Sequence, residues 1–311
     1  HTFVALLKAS GKHKDLQLGM EIHSEVSLAG LLGKDHFVSS SLIDMYVKCG
    51  SITKAQEVFN SLSCRNTTLW NVLITGYIEH GWNEGALRLY DKMKYEDIMP
   101  NSITFLCFLK ACKSIRDIEK GQEIHCEIGR RGMMDRNFSL GSAMVDMYSK
   151  CGSMKDAWKV FITIPIQTDV CFNAMIIGCA QLGCAEDSLK LFWEMESKHV
   201  KRTLITYVGA LKACSILGNL EKGKQIHESF LNSGMKANLI LRNALVDMFA
   251  KCGSIKNARQ VFDEMPERDV ISWNVLIAGY AQFGPPEEAF ALFERMERET
   301  FHPDKVTFLS V

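Results

Sequence analysis

Apolar residues recur along this chain at the three- and four-residue spacing of helices, in short runs separated by breaks. In one stretch, a first apolar face consists of Leu42, Ile43 and Tyr46, and a second consists of Ile52, Ala55, Val58, Phe59 and Leu62. Between the two faces lies Cys49-Gly50-Ser51, which suits a helix stop, with Gly50 at a C-terminal cap and Ser51 at an N-cap. The pattern predicts two short helices joined by a tight turn, and neither helix could bury its apolar face alone.

The same unit returns along the chain. The sequence SLIDMYVKCGSITKAQEVF from Ser41 returns from Ala143 and Ala244, with nine of its nineteen columns identical in all three copies. Two other motifs recur in step with it: G-x-x-I-H ends at His23, His125 and His227, and N-x-x-I-x-G begins at Asn71, Asn173 and Asn274. Three kinds of unit, of about 35, 31 and 35 residues, fill each long period. Repetition of this kind predicts an all-α solenoid of stacked helix pairs, and the period alone leaves tetratricopeptide-like and similar arrays open.

Composition limits the classes of function. The chain has 311 residues, of which 47% are hydrophobic, and its formal net charge is zero. A large core is therefore expected. Because the chain has no net positive charge, its overall charge does not indicate nucleic-acid binding, and RNA binding would depend on local placement of Lys and Arg. The apolar runs are too short for a membrane span, and the start HTFVALLKAS does not read as a targeting peptide. We expect a fragment of a longer protein, with its targeting segment upstream and no membrane partner.

Cysteine and histidine spacing argues against a metal or catalytic site. No two of the eleven cysteines are three residues apart, so they read as packing residues in a reducing compartment. The triplets His23-Ser24-Glu25 and His125-Cys126-Glu127 match the H-x-E half of a zinc deaminase signature, but P-C-x-x-C is absent and the third copy reads His227-Glu228-Ser229. These histidines are therefore predicted to pack. We expect no metal, no cofactor, no small-molecule substrate and no enzymatic activity in this chain.

The units and their motifs W-N-V-L-I-x-G-Y, D-M-Y-x-K-C-G-S and L-K-A-C…G-x-x-I-H closely resemble pentatricopeptide repeat (PPR) proteins of the plant PLS class. The resemblance covers the chain as a single array of repeats 1–35, 36–66, 67–101, 102–137, 138–168, 169–203, 204–238, 239–269 and 270–304, with a partial repeat at 305–311. It implies a right-handed superhelix of helix-turn-helix repeats that binds single-stranded RNA, one base per repeat. It also implies a mitochondrial or chloroplast location and a role in C-to-U RNA editing. A DYW-type deaminase domain would then lie C-terminal to this chain or in a partner, and accessory proteins of the MORF or RIP type are further expected partners.

The resemblance assigns two base-recognition positions to each repeat. The first reader lies near the start of the first helix, and the second reader is the last residue of the repeat. The pairs are Ser40 with Asn66, Asn71 with Asn101, Ser142 with Thr168, Asn173 with Thr203, Asn243 with Asp269, and Asn274 with Asp304. The alternative is that these small polar residues are ordinary N-caps. The first position becomes apolar in one repeat class, at Val4, Leu106, Val208 and Leu309, which resembles the non-decoding long repeats. The family's code predicts the target N-A-Y-N-R-Y-N-U-U.

Two supporting sets carry over from the family. Residues near the start of the first helices would wedge between bases: Phe37, Ile103, Val170, Ile205, Ile240 and Ile271. The alternative is packing in the core. Lysines near the end of a first helix would contact phosphate: Lys48, Lys150 and Lys251. Alternatively they favour the helix dipole. Other functions remain open: organellar RNA stability or splicing, or a protein-binding helical-repeat scaffold.

Overall fold

The computed structural model describes residues 2–134 and 137–310. Over these residues it contains nineteen helices and no strand, which confirms the all-α prediction. The predicted repeats 1–35, 102–137 and 305–311 include His1, Asp135, Arg136 and Val311, which lie outside the described residues.

Long and short loops alternate to give helix pairs. The first helices of the pairs are α1 (Thr2–His13), α3 (His36–Lys48), α5 (Thr67–Glu79), α7 (Ser102–Ile115), α9 (Phe138–Lys150), α11 (Asp169–Gln181), α13 (Leu204–Leu217), α15 (Leu239–Lys251), α17 (Val270–Phe283) and α19 (Lys305–Ser310). The second helices are α2 (Leu16–Leu28), α4 (Ile52–Ser61), α6 (Asn83–Tyr95), α8 (Ile118–Arg130), α10 (Met154–Thr163), α12 (Ala185–Ser197), α14 (Leu220–Asn232), α16 (Ile255–Asp263) and α18 (Pro286–Arg298). From α3 onward, each first helix begins at the first residue of one of the repeats that we propose. Throughout the described chain, the helices fall short of the length and apolarity that a membrane span requires.

The helices group into two compact units, one ending at Ile166 and the other beginning at Gln167. In the first unit, α1, α3, α5, α7 and α9 pack in succession, and each second helix from α2 to α8 lies against its own first helix and the next one. In the second unit, α11, α13, α15, α17 and α19 pack in the same way, with α12, α14 and α16 bridging. Within each unit, these bridging second helices cover the apolar faces of two first helices, which is how short helices bury what none could bury alone.

The repeated aromatic residues join successive pairs. The Phe59 ring of α4 meets the Trp70 ring of α5 edge-on at 4.7 Å, and Phe262 of α16 meets Trp273 of α17 at 4.8 Å. All four rings are fully buried. Each tryptophan directly precedes a predicted first reader, so this contact fixes the turn of the helix that carries the reader.

Gly50 ends α3 in the way the pattern predicts. Its φ is +77°, and the N–H of Ser51 donates to the carbonyl of Tyr46 at 2.9 Å, which closes a Schellman motif. Ser51 occupies the N-cap position of α4, but its hydroxyl makes no capping hydrogen bond. The turn therefore depends on the left-handed glycine rather than on the serine side chain.

Some of the cysteines are buried packing residues, and others are exposed. All eleven are free, and Cys112, Cys171, Cys179 and Cys214 are buried. Burial raises the pKa of both Cys112 and Cys214 to about 12, so these thiols are unreactive. The prediction that all the cysteines pack is wrong for Cys64, Cys126 and Cys184, which are exposed.

A glycine–methionine contact explains two of the repeated columns. The glycine of G-x-x-I-H faces the methionine of the Asp-Met pair in the next first helix. A Cβ on that glycine would lie 2.3 Å from the methionine sulfur at Gly19 and Met45, 2.6 Å at Gly121 and Met147, and 2.3 Å at Gly223 and Met248. The three methionines are fully buried, and their side chains occupy the space that a Cβ on the glycine would need. Glycine at this position therefore lets the second helix pack closely against the next first helix.

Substituting two glycines of α8 tests this contact. We expect Gly121→Ala to lower the free energy of unfolding by roughly 1–3 kcal/mol, because the added methyl group overpacks the space held by Met147. The control is Gly129→Ala in the same helix, where nothing lies within 4 Å of the added Cβ. That change should raise the free energy of unfolding by about 0.5–1 kcal/mol, as for glycine in an exposed helix. Equal urea midpoints for the two variants would contradict the packing role.

Candidate nucleic-acid interface

The start of each first helix gathers the predicted functional positions. The last residue of every complete repeat is the N-cap of the next first helix, and its side chain accepts a backbone N–H two or three residues further on. This holds for Asp35, Asn66, Asn101, Asn137, Thr168, Thr203, Asn238, Asp269 and Asp304. The capping interpretation is therefore correct for all nine. At an aspartate or asparagine the cap is compatible with the proposed base reading, because it uses one side-chain oxygen and leaves a second polar atom, whereas Thr168 and Thr203 have a single oxygen, which the cap uses.

Four first readers are asparagines that pair with the second reader of their own repeat. Each is only 6% to 9% exposed, and its Nδ2 donates to the side chain of the second reader. The distances are 3.1 Å from Asn71 to Asn101 Oδ1, 3.2 Å from Asn173 to Thr203 Oγ1, 3.2 Å from Asn243 to Asp269 Oδ1, and 3.0 Å from Asn274 to Asp304 Oδ1. Side chains 26 to 30 residues apart thus meet as a joined polar pair.

The hydrogen bonds leave specific atoms of the second readers available. At Asp269 and at Asp304, the amide and the capped helix all contact Oδ1, and Oδ2 has no hydrogen-bond partner among the described residues. At Asn101 the same contacts use Oδ1, which leaves the amino group as a donor. The aspartate pairs therefore present an acceptor, and the Asn101 pair presents a donor.

Both reader carboxylates are ionised at neutral pH. Burial acts to raise the pKa of Asp269, but hydrogen bonds from Ser272 and Asn243 outweigh it and lower the pKa. At Asp304, the backbone N–H of Thr307 is the largest influence and lowers the pKa. An ionised carboxylate only accepts hydrogen bonds, so the atom of Asn243 or Asn274 that faces it must be the amino nitrogen.

The two serine first readers are arranged differently. The Ser40 hydroxyl donates to the carbonyl of Phe37 at 3.1 Å, and the Ser142 hydroxyl donates to the carbonyl of Phe138 at 3.2 Å. Both hydroxyls thus engage their own helix. Of the apolar residues at the first-reader position, Leu309 is 78% exposed, whereas Val4, Leu106 and Val208 are half-buried.

Aliphatic and aromatic side chains flank the readers and face solvent. Every residue of the predicted stacking set is exposed, from 53% at Val170 to 78% at Phe37: Phe37, Ile103, Val170, Ile205, Ile240 and Ile271. The alternative of core packing is therefore wrong for this set. Val306, which the sequence interpretation missed, occupies the same position in α19 and is 55% exposed. Its signal was the match between its position, two residues after Asp304, and that of Ile271 after Asp269.

One cavity brings these positions together. Ile271 and Val306 line it together with Asn274, Asp304 and Lys251, and its volume is about 340 Å³. Such a site offers apolar walls and a few convergent polar groups, the usual makeup of a small-ligand pocket. A flat heterocycle suits this combination of surfaces.

Each predicted phosphate lysine lies near an aspartate four residues earlier. Lys48 pairs with Asp44 at 2.6 Å, and Lys251 pairs with Asp247 at 2.8 Å. Lys150 is exposed at the end of α9, and Asp146 pairs with Lys113 of α7 instead at 2.6 Å. These lysines are accessible, but a phosphate would have to compete with a carboxylate at two of them.

Three arginines, each directly before a second reader, hydrogen-bond to the preceding helix, and the sequence interpretation missed them. Nε of Arg65, Arg202 and Arg268 donates to the carbonyl of Phe59, Phe192 and Phe262 respectively, at 3.1 to 3.2 Å. Each guanidinium also lies 4.3 to 5.3 Å from the ring of the same phenylalanine. These arginines therefore fix the loop that places Asn66, Thr203 and Asp269.

The histidines of G-x-x-I-H contact the next first helix. His23 Nδ1 lies 2.8 Å from the Tyr46 hydroxyl, and His125 Nδ1 lies 2.9 Å from that of Tyr148. In the third copy, the His227 ring meets Phe249 edge-on at 5.8 Å. Burial lowers the pKa of all three imidazoles, so these rings are neutral packing groups.

Models of known repeat families match most of the chain. A model described as PPR repeat matches residues 37–66, 142–164, 170–200 and 241–270, and one described as PPR repeat family matches 65–114 and 268–311. The chain belongs to the pentatricopeptide repeat family. Its relatives include two Arabidopsis thaliana PPR proteins, the chloroplastic At4g18520 and the mitochondrial At3g24000. Both are 36% identical to it, over 100% and 98% of this chain, and it spans 50% and 48% of their lengths.

Solved PPR structures share the fold. PPR10 in complex with an 18-nucleotide psaJ RNA element superposes on 100% of this chain with a TM-score of 0.83 and 21% identity, and the match covers 47% of PPR10. PPR10 from maize superposes on 94% of this chain with a TM-score of 0.74 and 19% identity, over 43% of that protein.

Stability below neutral pH tests the histidine contacts. Because the folded state favours the neutral form of His23 and His125, the unfolded chain takes up protons first as pH falls through about 6.5. We therefore expect the melting temperature to drop between pH 7.5 and 5.5. The double variant His23→Gln, His125→Gln should show a smaller drop, whereas the exposed His302→Gln should retain the full one. An unchanged pH dependence in the double variant would contradict this assignment.

Proposed function

We propose that this chain binds single-stranded RNA in a sequence-specific manner, with one base per repeat. The observation that carries the proposal is the buried asparagine paired to the last residue of its repeat in four repeats, three of which also have an exposed aliphatic side chain as the second residue of the same first helix. Stacking on apolar side chains and hydrogen bonding to the base edge are the two interactions by which proteins read unpaired RNA. The PPR10 structure with psaJ RNA supports the same use of this fold.

In three of the six pairs, the atoms left available agree with the proposed preferences. Uracil carries an N3–H donor, and Oδ2 of Asp269 and of Asp304 is an acceptor that the cap does not use. Asn101 instead offers amino protons, which suit the carbonyl oxygen of a pyrimidine. The proposed target, written from the first repeat to the ninth, is N-A-Y-N-R-Y-N-U-U.

We further propose that the whole protein is a PLS-class factor that acts in an organelle and guides C-to-U editing of a transcript. The alternating repeat lengths and the chloroplastic and mitochondrial names of its relatives support this proposal. The deaminase activity would reside outside this chain. Organellar RNA stability or splicing uses the same binding step, so the test of RNA binding precedes the choice among them.

Binding of nine-nucleotide RNAs tests the function. We expect RNA of the proposed sequence to bind roughly ten-thousandfold more tightly than RNA with purines and pyrimidines exchanged at the six decoded positions, since each mismatch costs about 1 kcal/mol. Affinity should fall as salt rises. The duplex of the same RNA is the control, and it should bind weakly. Equal affinity for both single strands would refute base reading. If none of the RNAs binds at any salt concentration, a protein-binding scaffold would be favoured.

A single substitution tests the reader assignment. Asn274→Ser replaces the amide with a hydroxyl opposite Asp304, and we expect the base preference at the ninth nucleotide to shift from U toward a purine. The preference at the third nucleotide, which Asn71 and Asn101 read, should stay as it is. Affinities for the four RNAs that differ only at the ninth nucleotide provide the measurement.

Exposed isoleucines test the stacking surface. Ile271 is 60% exposed beside the reader Asn274, and Ile162 is 68% exposed on α10, away from the readers. We expect Ile271→Ser to weaken RNA binding about tenfold, which corresponds to the loss of one base contact. Ile162→Ser should leave the affinity unchanged, and both variants should fold normally. Equal effects of the two changes would remove the stacking role.

A further inference from the structure

A buried hydroxyl contacts each of the four asparagine first readers from the helix that follows its repeat. The hydroxyl belongs to the third residue of that helix, and it is fully buried in all four cases. It donates to Oδ1 of the asparagine at 2.7 Å from Thr104 to Asn71, 2.6 Å from Thr206 to Asn173, 2.7 Å from Ser272 to Asn243, and 2.6 Å from Thr307 to Asn274. The asparagine amide is therefore held at both ends, by its second reader and by this hydroxyl.

The hydroxyl occurs only where the first reader is an asparagine. In the other five repeats the first reader is Val4, Ser40, Leu106, Ser142 or Val208, and the corresponding third residue is Val38, Leu69, Leu140, Cys171 or Leu241. None of those five residues carries a hydroxyl. Presence of the hydroxyl thus follows the chemistry of the first reader in all nine repeats.

Helix capping alone does not account for the hydroxyl. Asn238 caps α15 by accepting the N–H of Leu241 at 3.0 Å, and Asn66 caps α5 by accepting the N–H of Leu69 at 3.1 Å. Those two caps form without any hydroxyl at the third position. In the four hydroxyl-bearing helices the hydroxyl has two roles: it accepts the backbone N–H of the N-cap residue, and it faces a buried amide oxygen that needs a donor.

The partners of the Asn243 amide set its orientation. Its amino group faces the ionised Asp269, so Oδ1 is the atom that faces Ser272. Oγ of Ser272 accepts the backbone N–H of Asp269 at 3.2 Å, and its single proton has two acceptors at 2.7 Å, Asn243 Oδ1 and Asp269 Oδ1. The amide therefore presents one remaining N–H and one remaining lone pair in a set orientation.

We infer that the third-position hydroxyl of the following helix is a positioning residue for base recognition: it holds the asparagine amide in the orientation that reads the base. This inference rests on the proposed RNA-binding function. Recognition in one repeat then depends on three side chains drawn from two consecutive repeats: the first reader, the second reader and the hydroxyl. Removal of the hydroxyl leaves a buried amide oxygen without a donor, and the amide is free to rotate.

Substitution of Ser272 tests the inference. Ser272→Ala deletes only the hydroxyl, and Ser272→Thr supplies the residue found at positions 104, 206 and 307. RNAs of the proposed sequence with each of the four bases at the eighth nucleotide report on Asn243 and Asp269. We expect Ser272→Ala to lose about five- to tenfold of the preference for U over purines, the factor expected from one hydrogen bond. Ser272→Thr should retain that preference.

An internal control separates positioning from folding. The third nucleotide is read by Asn71, Asn101 and Thr104 in the other compact unit, and its preference should be unchanged in Ser272→Ala. An unchanged preference at the eighth nucleotide, or an equal loss at the third, would overturn the inference. A wild-type chain without preference at the eighth nucleotide would instead overturn the proposed function, and the inference with it.

A measurement on the protein without RNA tests the same inference independently of RNA binding. The side-chain amide protons of Asn243 should exchange slowly with solvent in the wild-type chain and in Ser272→Thr, and faster in Ser272→Ala. Equal exchange in all three proteins would show that the hydroxyl does not hold the amide, whatever the RNA measurements give.

Discussion

The unpaired backbone N–H groups at the start of each first helix are the constraint on which the interface depends. A helix begins with N–H groups that have no partner within it, so the residue before it must supply an acceptor. Asp, Asn, Ser and Thr supply it best, and these are also the side chains that can read the edge of a base. At Asp269 one carboxylate oxygen serves the helix and the other is left over. Capping and the proposed reading would therefore use different atoms of Asp269, so the two roles are compatible in that residue.

The same constraint sets where the other positions lie. The exposed aliphatic residue is the second of the helix, the hydroxyl is the third, and the first reader is the fifth. All lie within the first turns, and the loop before them is held by the arginine that precedes the cap in three repeats. Edge-to-face contacts of Trp70 and Trp273 with the preceding helix fix the rotation of α5 and α17. The rigid packing behind the interface is what gives the polar atoms in front of it defined positions.

Periodicity was sufficient to predict the helices, their pairing and the glycine that ends α3. The proposed first and second readers came from the resemblance to the repeat family rather than from periodicity, and in four repeats the structure brings the two side chains within hydrogen-bonding distance. Periodicity could not decide whether Ile271 packs or faces solvent, since a residue at the edge of an apolar stripe suits both, and only the neighbouring helices determine which. It missed Thr104 and Ser272 because the hydroxyl serves a side chain in another repeat, and a local pattern carries no sign of that contact. The pairs of Lys48 with Asp44 and of Lys251 with Asp247 were visible at four-residue spacing, which is the usual distance for helical ion pairs.

Those ion pairs bear on how a chain with zero net charge would hold RNA. A phosphate that approaches Lys48 or Lys251 must displace or share an aspartate, so each such contact contributes less than a free lysine would. Affinity for RNA would then depend more on the exposed side chains proposed to stack on bases and on the asparagine first readers paired with their second readers. Contacts of these residues differ from one base to another. A protein built in this way would bind non-target RNA weakly, because the sequence-independent electrostatic contribution would be small. Weak background binding is the property that a guide needs when its target is one site among many transcripts.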